Sequence, residues 1–188
     1  MLPSLSVVIP NYNHSKFLAQ TLDAVFSQSV RPNEVVLVDD ASTDNSVEII
    51  RAYAAKYPEL RLVQHETNKG AIESCNRALF EAQYEYIYGT AADDFLLPGF
   101  FEKSLTMLAK HPYATLCTSI PGILTTGTST PVPSPALVCN EKSARYFSPR
   151  ELEPLLNGGY IASTPTIMRR DALLATGACT HEHRWHSD

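Results

Sequence analysis

Two pairs of adjacent aspartates each follow an apolar segment of this sequence. Asp39-Asp40 comes directly after residues 34–38, and Asp93-Asp94 comes a few residues after the aromatic segment 84–88. Adjacent carboxylates repel each other unless a cation lies beside them. Mg²⁺ and Mn²⁺ suit this position because they prefer carboxylate oxygen and can bridge to the phosphates of a ligand. The two pairs therefore predict a metal-assisted nucleotide site.

The composition is that of a globular protein with one hydrophobic core. The chain has 188 residues, of which 44% are hydrophobic and 19% charged, and this length suits a single domain, 1–188. The formal net charge is -5 and no basic block is present, which disfavours a nucleic acid as the main partner.

The cysteines and the amino terminus indicate a cytoplasmic protein. The four cysteines form no CxxC motif, so we expect reduced thiols and neither a disulfide framework nor a zinc site. They are Cys75, Cys117, Cys139 and Cys179. Residues 1–4 carry no basic side chain, and the apolar run 5–9 is too short for a signal sequence or a membrane span. Peripheral membrane attachment through a segment outside this sequence stays an open alternative.

The first two thirds of the chain alternate between strand and helix patterns. Short β-branched or apolar runs predict strands at 5–9, 34–38, 61–64, 84–88 and 114–119. Helical periodicity or capping residues predict helices at 15–28, from Asp44-Asn45-Ser46 onward, at 71–82, and from Pro98 to about 110. This alternation predicts an α/β fold with a doubly wound, mostly parallel sheet and helices on both faces.

The pattern becomes less regular towards the carboxyl end. Residues 121–139 are rich in Pro, Thr, Ser and Gly, which predicts a long loop or hairpin. A helix start is predicted at 148–151, a strand at 160–168, and a short helix at 170–175 that ends before Gly177.

Ligands of open parallel sheets bind beyond the carboxyl ends of the strands. Residues 10–13, Asp39-Asp40 and Asp93-Asp94 fall at such ends. Glycine-rich phosphate motifs of the GxGxxG and P-loop types are absent from the sequence, so metal and side chains would have to meet the charge of a diphosphate. Each motif also has a simpler interpretation, namely a helix cap for Asp39-Asp40, a solvated turn for Asp93-Asp94 and an ordinary turn for 68–70.

Four ordered motifs together resemble the family 2 glycosyltransferases, which have the GT-A fold, a Rossmann-like three-layer sandwich. The motifs are Val7-Val8-Ile9-Pro10-Asn11-Tyr12-Asn13, Val38-Asp39-Asp40-Ala41-Ser42-Thr43-Asp44, Asn68-Lys69-Gly70 with Asn76, and Ala92-Asp93-Asp94 with Pro98. The resemblance is strong over residues 4–119 and thin afterwards.

The resemblance implies roles for individual residues. Asp40, with Asp39 beside it, would accept a hydrogen bond from the base, typically uracil, while Asp93 and Asp94 would match the acidic motif that binds the ribose and the metal, Mn²⁺ or Mg²⁺. Which of the two holds the metal stays open. The remaining nucleotide-pocket residues would be Pro10, Asn11, Tyr12, Lys69 and Gly70.

The sequence departs from the family pattern at two positions. The family often has an Asp where this chain has Ala91, and an Arg where it has Cys75. One carboxylate and one cation of the pattern are therefore missing, although Arg77 follows close by.

The catalytic base in this family is a carboxylate on a later loop, and the best match here is Asp188. Glu182 and His186 are the alternatives, and a polar tail without a catalytic role is the simplest reading. A zinc site formed by His181, His183 and His186 is disfavoured because their spacing fits no standard ligand pattern.

The resemblance implies transfer of a sugar from a nucleotide-diphosphate donor, typically a UDP-sugar, to a hydroxyl of a sugar or glycan acceptor. The transfer would invert the anomeric configuration and would serve cell-surface polysaccharide or glycan synthesis. Family members usually continue beyond this point, so we expect the chain to lack their carboxyl-terminal part. Two alternatives stay open, a non-catalytic nucleotide-sugar-binding module and a metal-dependent nucleotidyltransferase. The latter normally has a glycine-rich basic loop after its first strand, which residues 11–14 do not resemble.

Overall fold

A computed structural model describes residues 1–120, 122–123, 132–133, 146–148, 150–151 and 165–179. The strands are β1 (Leu5–Asn11), β2 (Glu34–Asp39), β3 (Leu60–Gln64), β4 (Tyr86–Gly89), β5 (Leu116–Thr118), β6 (Gly122–Ile123), β7 (Val132–Pro133) and β8 (Thr166–Arg169). The helices are α1 (Ser15–Phe26), α2 (Ser46–Lys56), α3 (Ala71–Glu81), α4 (Phe100–Lys110) and α5 (Arg170–Ala175).

The main sheet has six strands in the order β3-β2-β1-β4-β8-β5. β1 pairs in parallel with β2 and β4, and β3 pairs in parallel with β2. The predicted α/β fold with a mostly parallel sheet is therefore confirmed, and the carboxyl ends of β1, β2 and β4 open at one edge.

Both faces of the sheet are buried, which explains the uninterrupted apolar strands. On one face Val7 and Val35 pack in a cluster with residues of α1, α2 and α4. On the other face their neighbours Val8 and Val36 pack with residues of α3 and α5. Because successive side chains of a strand point to opposite faces, this division makes the three layers that were predicted.

The far side of the sheet departs from simple alternation. β8 runs antiparallel between β4 and β5, so β5 does not pair with β4. Arg169 anchors this insertion, since its guanidinium donates to the carboxylate of Glu85 at 3.0 Å and lies 4.8 Å from the ring centroid of Tyr86. The sequence predicted a strand over 160–168 but did not indicate its direction or its neighbours.

Several predicted boundaries were wrong: the helix predicted at 15–28 ends at Phe26, and the strand predicted at 114–119 is Leu116–Thr118. Two further differences have a cause that the structure shows. β4 begins at Tyr86 rather than at residue 84, because the backbone N–H of Tyr84 donates to the hydroxyl of Ser6 at 3.1 Å instead of joining the ladder. Pro98 lies before α4 rather than in its first turn, since Gly99 precedes the helix in the left-handed region with φ of 81°. The chain therefore makes a sharp turn before α4 begins.

In the segment 121–139, predicted as a loop or hairpin, the structure describes two short strands. β6 and β7 pair antiparallel with each other. The helix start predicted at 148–151 is confirmed at residues 150–151, where Ser148 donates from its N–H and its hydroxyl to the carboxylate of Glu151 at 2.9 and 2.8 Å. The Glu151 carboxylate thereby satisfies the backbone N–H of Ser148, as the glutamate of a capping box does.

Candidate functional site

Three loops leave the sheet at the carboxyl ends of β1, β2 and β4. Asn11 and Asp39 are direct neighbours in the register of β1 and β2, and the N–H of Asp40 donates to the carbonyl of Asn11 at 2.9 Å. The N–H of Thr90, just beyond β4, donates to the carbonyl of Val8 at 3.1 Å. The sheet therefore brings the residues predicted from the first two motifs into contact, with the acidic turn on the neighbouring strand.

Asp39 holds the loop after β2 and has no exposed surface. Its carboxylate accepts the Asn11 side-chain amide at 2.8 Å, the Ser42 hydroxyl at 2.6 Å and the Ser42 N–H at 3.1 Å. Three hydrogen-bond donors stabilise a carboxylate that is buried away from solvent. Asp39 thus has a clear structural task at the site.

Asn11 brings a polar atom to the same place. The residue is only 2% exposed, and no hydrogen-bond partner for its side-chain carbonyl oxygen exists among the residues that the structure describes. A buried oxygen without a donor costs free energy, on the order of 1–3 kcal/mol. The oxygen is therefore suited to an N–H or O–H group of a ligand or to a water molecule.

Asp40 joins the end of β2 to the turn before α3. One carboxylate oxygen accepts the N–H of Lys69 at 2.8 Å and lies 2.7 Å from Nδ1 of His65, while the other accepts the N–H of Gly70 at 2.8 Å. Burial opposes ionisation, but these hydrogen bonds outweigh it and lower the pKa of Asp40. Asp40, Lys69 and Gly70, predicted separately, thus form one unit.

This unit depends on glycine at position 70. Gly70 has φ of 92°, which is in the region that side chains with a Cβ rarely adopt. Its N–H is thereby aimed at Asp40 while α3 begins at the next residue. His65, in contrast, was missed by sequence reasoning, because a single histidine after a strand carries no recognisable signal.

The loops after β1 and β2 are hydrogen-bonded to each other, and each contains a residue with a positive φ angle. Asn13 and Ala41 both adopt left-handed conformations, with φ of 57° and 60°. The Asn13 side-chain oxygen accepts the N–H of Thr43 at 2.8 Å, and the Ser42 hydroxyl accepts the N–H of Asn13 at 3.0 Å. Such strain persists only where neighbouring contacts fix it, and it is frequent at functional sites.

Asp44 adds to this link between the loops by capping two helices at once. Its carboxylate accepts the N–H of Ser46 at 3.0 Å at the start of α2 and the N–H of Ser15 at 2.9 Å at the start of α1. Despite the opposing effect of burial, these contacts with Ser46 and Ser15 lower the pKa of Asp44 to about 2. The predicted cap at 44–46 is confirmed, and its link to α1 is new.

The acidic turn exposes both of its carboxylates. Asp93 and Asp94 are exposed, and the N–H of Asp94 donates to the carbonyl of Ala91 at 3.3 Å. Partial burial and the neighbouring charge of Asp93 raise the pKa of Asp94. A bound divalent cation would relieve this repulsion, and carboxylate oxygens suit Mg²⁺ and Mn²⁺.

The metal would need further ligands from outside the turn. Within the described part of the chain, no group of three or more His, Cys, Asp or Glu side chains could hold a metal ion. Asp93 and Asp94 therefore fit a cation that keeps water and takes phosphate oxygens, as Mg²⁺ commonly does. Ala91, at the position of a frequent family carboxylate, adds no oxygen from its side chain.

Thr21 of α1 and Gln28, two residues beyond the end of that helix, hold the acidic turn. The Thr21 hydroxyl lies 2.9 Å from the carbonyl oxygen of Ala92 and 2.7 Å from that of Asp94. The Gln28 side-chain amide donates to the carbonyl of Leu97 at 3.0 Å. Sequence reasoning missed both, because polar residues in an amphipathic helix are ordinarily assigned to its solvent face.

A cavity of about 260 Å³ lies beside the acidic turn. Its wall is formed by the turn, α4, and the segments next to β5 and β8. The lining residues include Tyr88, Asp94, Phe100, Lys103, Ser119 and Pro165. The cavity combines a carboxylate and an ammonium group with aromatic walls.

The remaining predicted site residues differ in what the structure describes. Tyr12 is 43% exposed at the end of β1, and Pro10 is partly buried beside it. Asp188, Glu182 and His186 lie outside the described residues, as do His181 and His183. No helix in the described ranges combines the length and apolar character needed to cross a bilayer.

The sequence model of Glycosyl transferase family 2 matches residues 6–176. The chain belongs to this family. Among curated relatives of the family 2 domain, the uncharacterized glycosyltransferase YibD of Escherichia coli K12 is 38% identical over 103 residues, and the glycosyltransferase GlyG of Streptococcus pneumoniae serotype 4 is 35% identical over 98. These matches cover 55% and 52% of the chain, but only 30% and 33% of the relatives. The chain thus spans about a third of their length.

Solved structures agree with the family 2 assignment. The crystal structure of Staphylococcus aureus TarS 1–349 is similar with a TM-score of 0.74 at 25% identity, covering 93% of this chain and 49% of that one. TarS has also been solved with UDP-GlcNAc. The mannosyltransferase PcManGT of Pyrobaculum calidifontis, solved with GDP-Man and Mn²⁺, has a TM-score of 0.68 at 22% identity and covers 96% and 48%. The latter likeness concerns the fold, which is the predicted GT-A fold.

Proposed function

We propose that this chain is the donor-binding part of a glycosyltransferase that transfers a sugar from a nucleotide diphosphate, with UDP as the preferred carrier. The observation that carries the proposal is the joining of Asp40, Lys69 and Gly70 into one hydrogen-bonded unit beside Asn11. Family membership and the UDP-GlcNAc complex of TarS support the choice of donor.

The nucleoside would bind between the loops after β1 and β2. The exposed ring of Tyr12 offers a face on which a base can stack. The unpartnered side-chain oxygen of Asn11 and the remaining lone pair of Asp40 are acceptors for the N–H of a uracil. Asp39 would act as a positioning residue, because its oxygens already accept three hydrogen bonds.

The diphosphate would lie over the acidic turn. Asp93 and Asp94 would hold a divalent cation, which when bound would supply Lewis-acid stabilisation of the negative charge on the departing diphosphate. The Thr21 hydroxyl would keep the two carboxylates in place, because it holds the backbone of the turn that carries them. The aromatic and charged cavity next to Asp94 is suited to the transferred sugar or to the acceptor.

The reaction would be a single in-line displacement with inversion at the anomeric carbon. We assign the role of base to Asp188, whose carboxylate would take the proton from the acceptor hydroxyl as the hydroxyl attacks. The proposed setting is polysaccharide or glycan synthesis on the cytoplasmic side of a membrane. A product that retains the donor's anomeric configuration would contradict the displacement mechanism.

Calorimetric binding of UDP, with and without Mn²⁺, tests the donor site directly. We expect Mn²⁺ to strengthen binding to the wild-type chain, and the variant Asp93→Ala/Asp94→Ala to lose this gain. A matched control is Glu48→Ala, which removes an exposed carboxylate from α2. Failure of the wild-type chain to bind UDP in either condition would contradict the proposal for this donor.

A binding module without transfer is the second candidate. It is favoured by Ala91, which leaves the acidic motif one carboxylate short of the common family pattern. Such a module would bind UDP with Mn²⁺ but would release no UDP from a UDP-sugar in the presence of acceptors. Measurement of UDP release therefore separates the two candidates.

A further inference from the structure

Two cysteines that are far apart in sequence meet at the second face of the sheet. Cys75 lies in α3 and Cys179 lies just beyond α5, and their Sγ atoms are 3.5 Å apart. Both are partly buried against the same apolar cluster, and both are free thiols in the structure. The spacing of the cysteines in the sequence, which form no CxxC motif, did not predict this contact.

The backbone around the pair is held by the residue next to Cys75. The side-chain amide of Asn76 donates to the carbonyl of Cys179 at 2.8 Å, and its oxygen accepts the N–H of Cys179 at 2.8 Å. Asn76 therefore binds the Cys179 backbone as another strand would. Because this clamp fixes the two chain segments together, the sulfur contact is a property of the packing rather than of two free side chains.

We propose that Cys75 and Cys179 form a reversible intramolecular disulfide when the protein meets a low-molecular-weight disulfide such as oxidised glutathione. The two sulfur atoms need to approach from 3.5 Å to about 2.05 Å, which side-chain rotation and a small shift of the segment after α5 can supply. This inference does not depend on the proposed sugar transfer.

The exchange balances with one oxidant molecule. The Cys179 thiolate attacks one sulfur of the small disulfide, whose S–S bond breaks, and one small thiolate leaves. The deprotonated Cys75 sulfur then attacks Sγ of Cys179, forming the protein disulfide and releasing the second small thiolate. Two protein thiols are oxidised, one small disulfide is reduced to two thiols, and the two protons end on those thiols.

The contact itself favours Cys179 as the first nucleophile. A hydrogen bond from the Cys75 thiol lowers the pKa of Cys179, while the same contact and burial raise the pKa of Cys75. Thiolates rather than thiols attack disulfides, so the member that ionises more readily reacts first. Cys75 then acts as the resolving thiol.

Closure of this loop has a measurable effect on stability. A disulfide restricts the unfolded chain more when it encloses more residues, and this pair is separated by 104 positions. We expect oxidation to raise the Tm of the chain by about 5 °C or more. The bond would also fasten α3, which begins at the Asp40 unit, to the segment that follows β8.

The test is a peptide map of the full chain after incubation with oxidised glutathione and blocking of the remaining thiols. Under non-reducing conditions we expect mass spectrometry to find a Cys75–Cys179 cross-linked peptide, with loss of two of the four thiols. Dithiothreitol should reverse both changes. Retention of all four thiols, cross-linking of another pair, or glutathione adducts without the cross-link would overturn the proposal.

Three variants sharpen the result. Cys117→Ser is the matched control, since it removes a partly buried thiol of β5 and should form the cross-link and gain Tm as the wild type does. Cys75→Ser should form no cross-link, gain no Tm, and keep a glutathione adduct on Cys179. Cys179→Ser should also form no cross-link. An equal rise of Tm in the Cys75→Ser variant would overturn the loop-closure effect, and the wild-type map remains decisive if a variant fails to fold.

Discussion

The Thr21 hydroxyl lies 2.7 Å from the carbonyl oxygen of Asp94, so the middle of α1 holds the turn that carries the acidic pair. The same hydroxyl lies 2.9 Å from the carbonyl oxygen of Ala92. One buried side chain thus fixes the backbone on both sides of Asp93. The exposed carboxylates stay free for a ligand because Thr21 holds the turn through its backbone carbonyl groups and not through these side chains.

Thr21→Val should weaken Mn²⁺-dependent UDP binding about tenfold while leaving metal-free binding unchanged. Valine keeps the shape of threonine but cannot donate, which costs about 1–2 kcal/mol when a buried carbonyl loses its donor. Calorimetry with and without Mn²⁺ measures this. Thr21→Ser, which keeps the hydroxyl, is the control and should bind nearly as the wild type does. Wild-type affinity of the valine variant with Mn²⁺ would show that the turn is fixed by other contacts.

Asp94→Ala and Asp93→Ala should each lower the rate of sugar transfer by on the order of 100-fold or more, with a smaller loss of UDP affinity. The proposed reason is that the metal stabilises charge that develops mainly as the diphosphate departs. Release of UDP from a UDP-sugar donor measures the rate. Glu48→Ala should retain the wild-type rate, and near-normal rates in both aspartate variants would rule out the metal assignment.

Asp40→Asn should both destabilise the fold and weaken UDP binding. The N–H groups of Lys69 and Gly70 donate to different oxygens of the Asp40 carboxylate, whereas an asparagine side chain has only one oxygen and cannot accept both. We expect a loss of about 2–3 kcal/mol in the free energy of unfolding. Urea unfolding and UDP calorimetry measure the two effects. A stable variant with full affinity would mean that the turn before α3 keeps its position without Asp40.

The stability difference between the wild type and Asp44→Asn should depend on pH. The folded-state pKa of Asp44 is about 2 against an ordinary value of 3.8, so the ionised form stabilises the folded chain. This contribution, about 1–2 kcal/mol after allowance for partial exposure, is fully present above the unfolded-state pKa. It is lost as the pH falls from about 4 to about 2. Urea unfolding at pH 7, 5, 4 and 3 follows the difference.

A matched control for this pH series is Asp171→Asn, which changes an exposed carboxylate in the first turn of α5. Its stability difference from the wild type should be small at every pH. If the Asp44→Asn difference stayed constant down to pH 3, the wild-type carboxylate would not be titrating below its ordinary range, and the double-cap interpretation would be wrong.

The parallel half of the sheet could be predicted because its information is local. Residues 35–38 are uniformly apolar, as a strand buried on both faces must be, and the polar residues Asp39 and Asp40 mark where that strand ends. Strand direction follows from the intervening helices, since a helical crossover returns the chain to the end of the sheet at which the previous strand began and so makes successive strands parallel. The placement of Asn11 and Asp39 at the carboxyl ends of their strands was therefore expected from the sequence, whereas their direct contact was seen only in the structure.

The unpredicted parts depend on contacts between distant positions. Thr21 and Gln28 both fall in the helix predicted over 15–28, where polar residues are expected to face solvent, and only the folded chain shows that they contact the turn at 91–97. The contact between the thiols of Cys75 and Cys179 could not be predicted from their spacing either, because tertiary packing brings them together. His65 became informative only when Asp40 was found beside it.

The insertion of β8 between β4 and β5 affects the order in which the chain can assemble during synthesis. β3, β2, β1 and β4 are complete once residue 89 has emerged, and each pairs with a strand made earlier or soon after. β5 must wait for residues 166–169 before it gains a partner in the described sheet. Pairings that span many residues form slowly, and unpaired strand edges invite aggregation. A chain that stops before Thr166 therefore leaves β4 with an open edge, and the nascent protein carries that edge until the last described strand arrives.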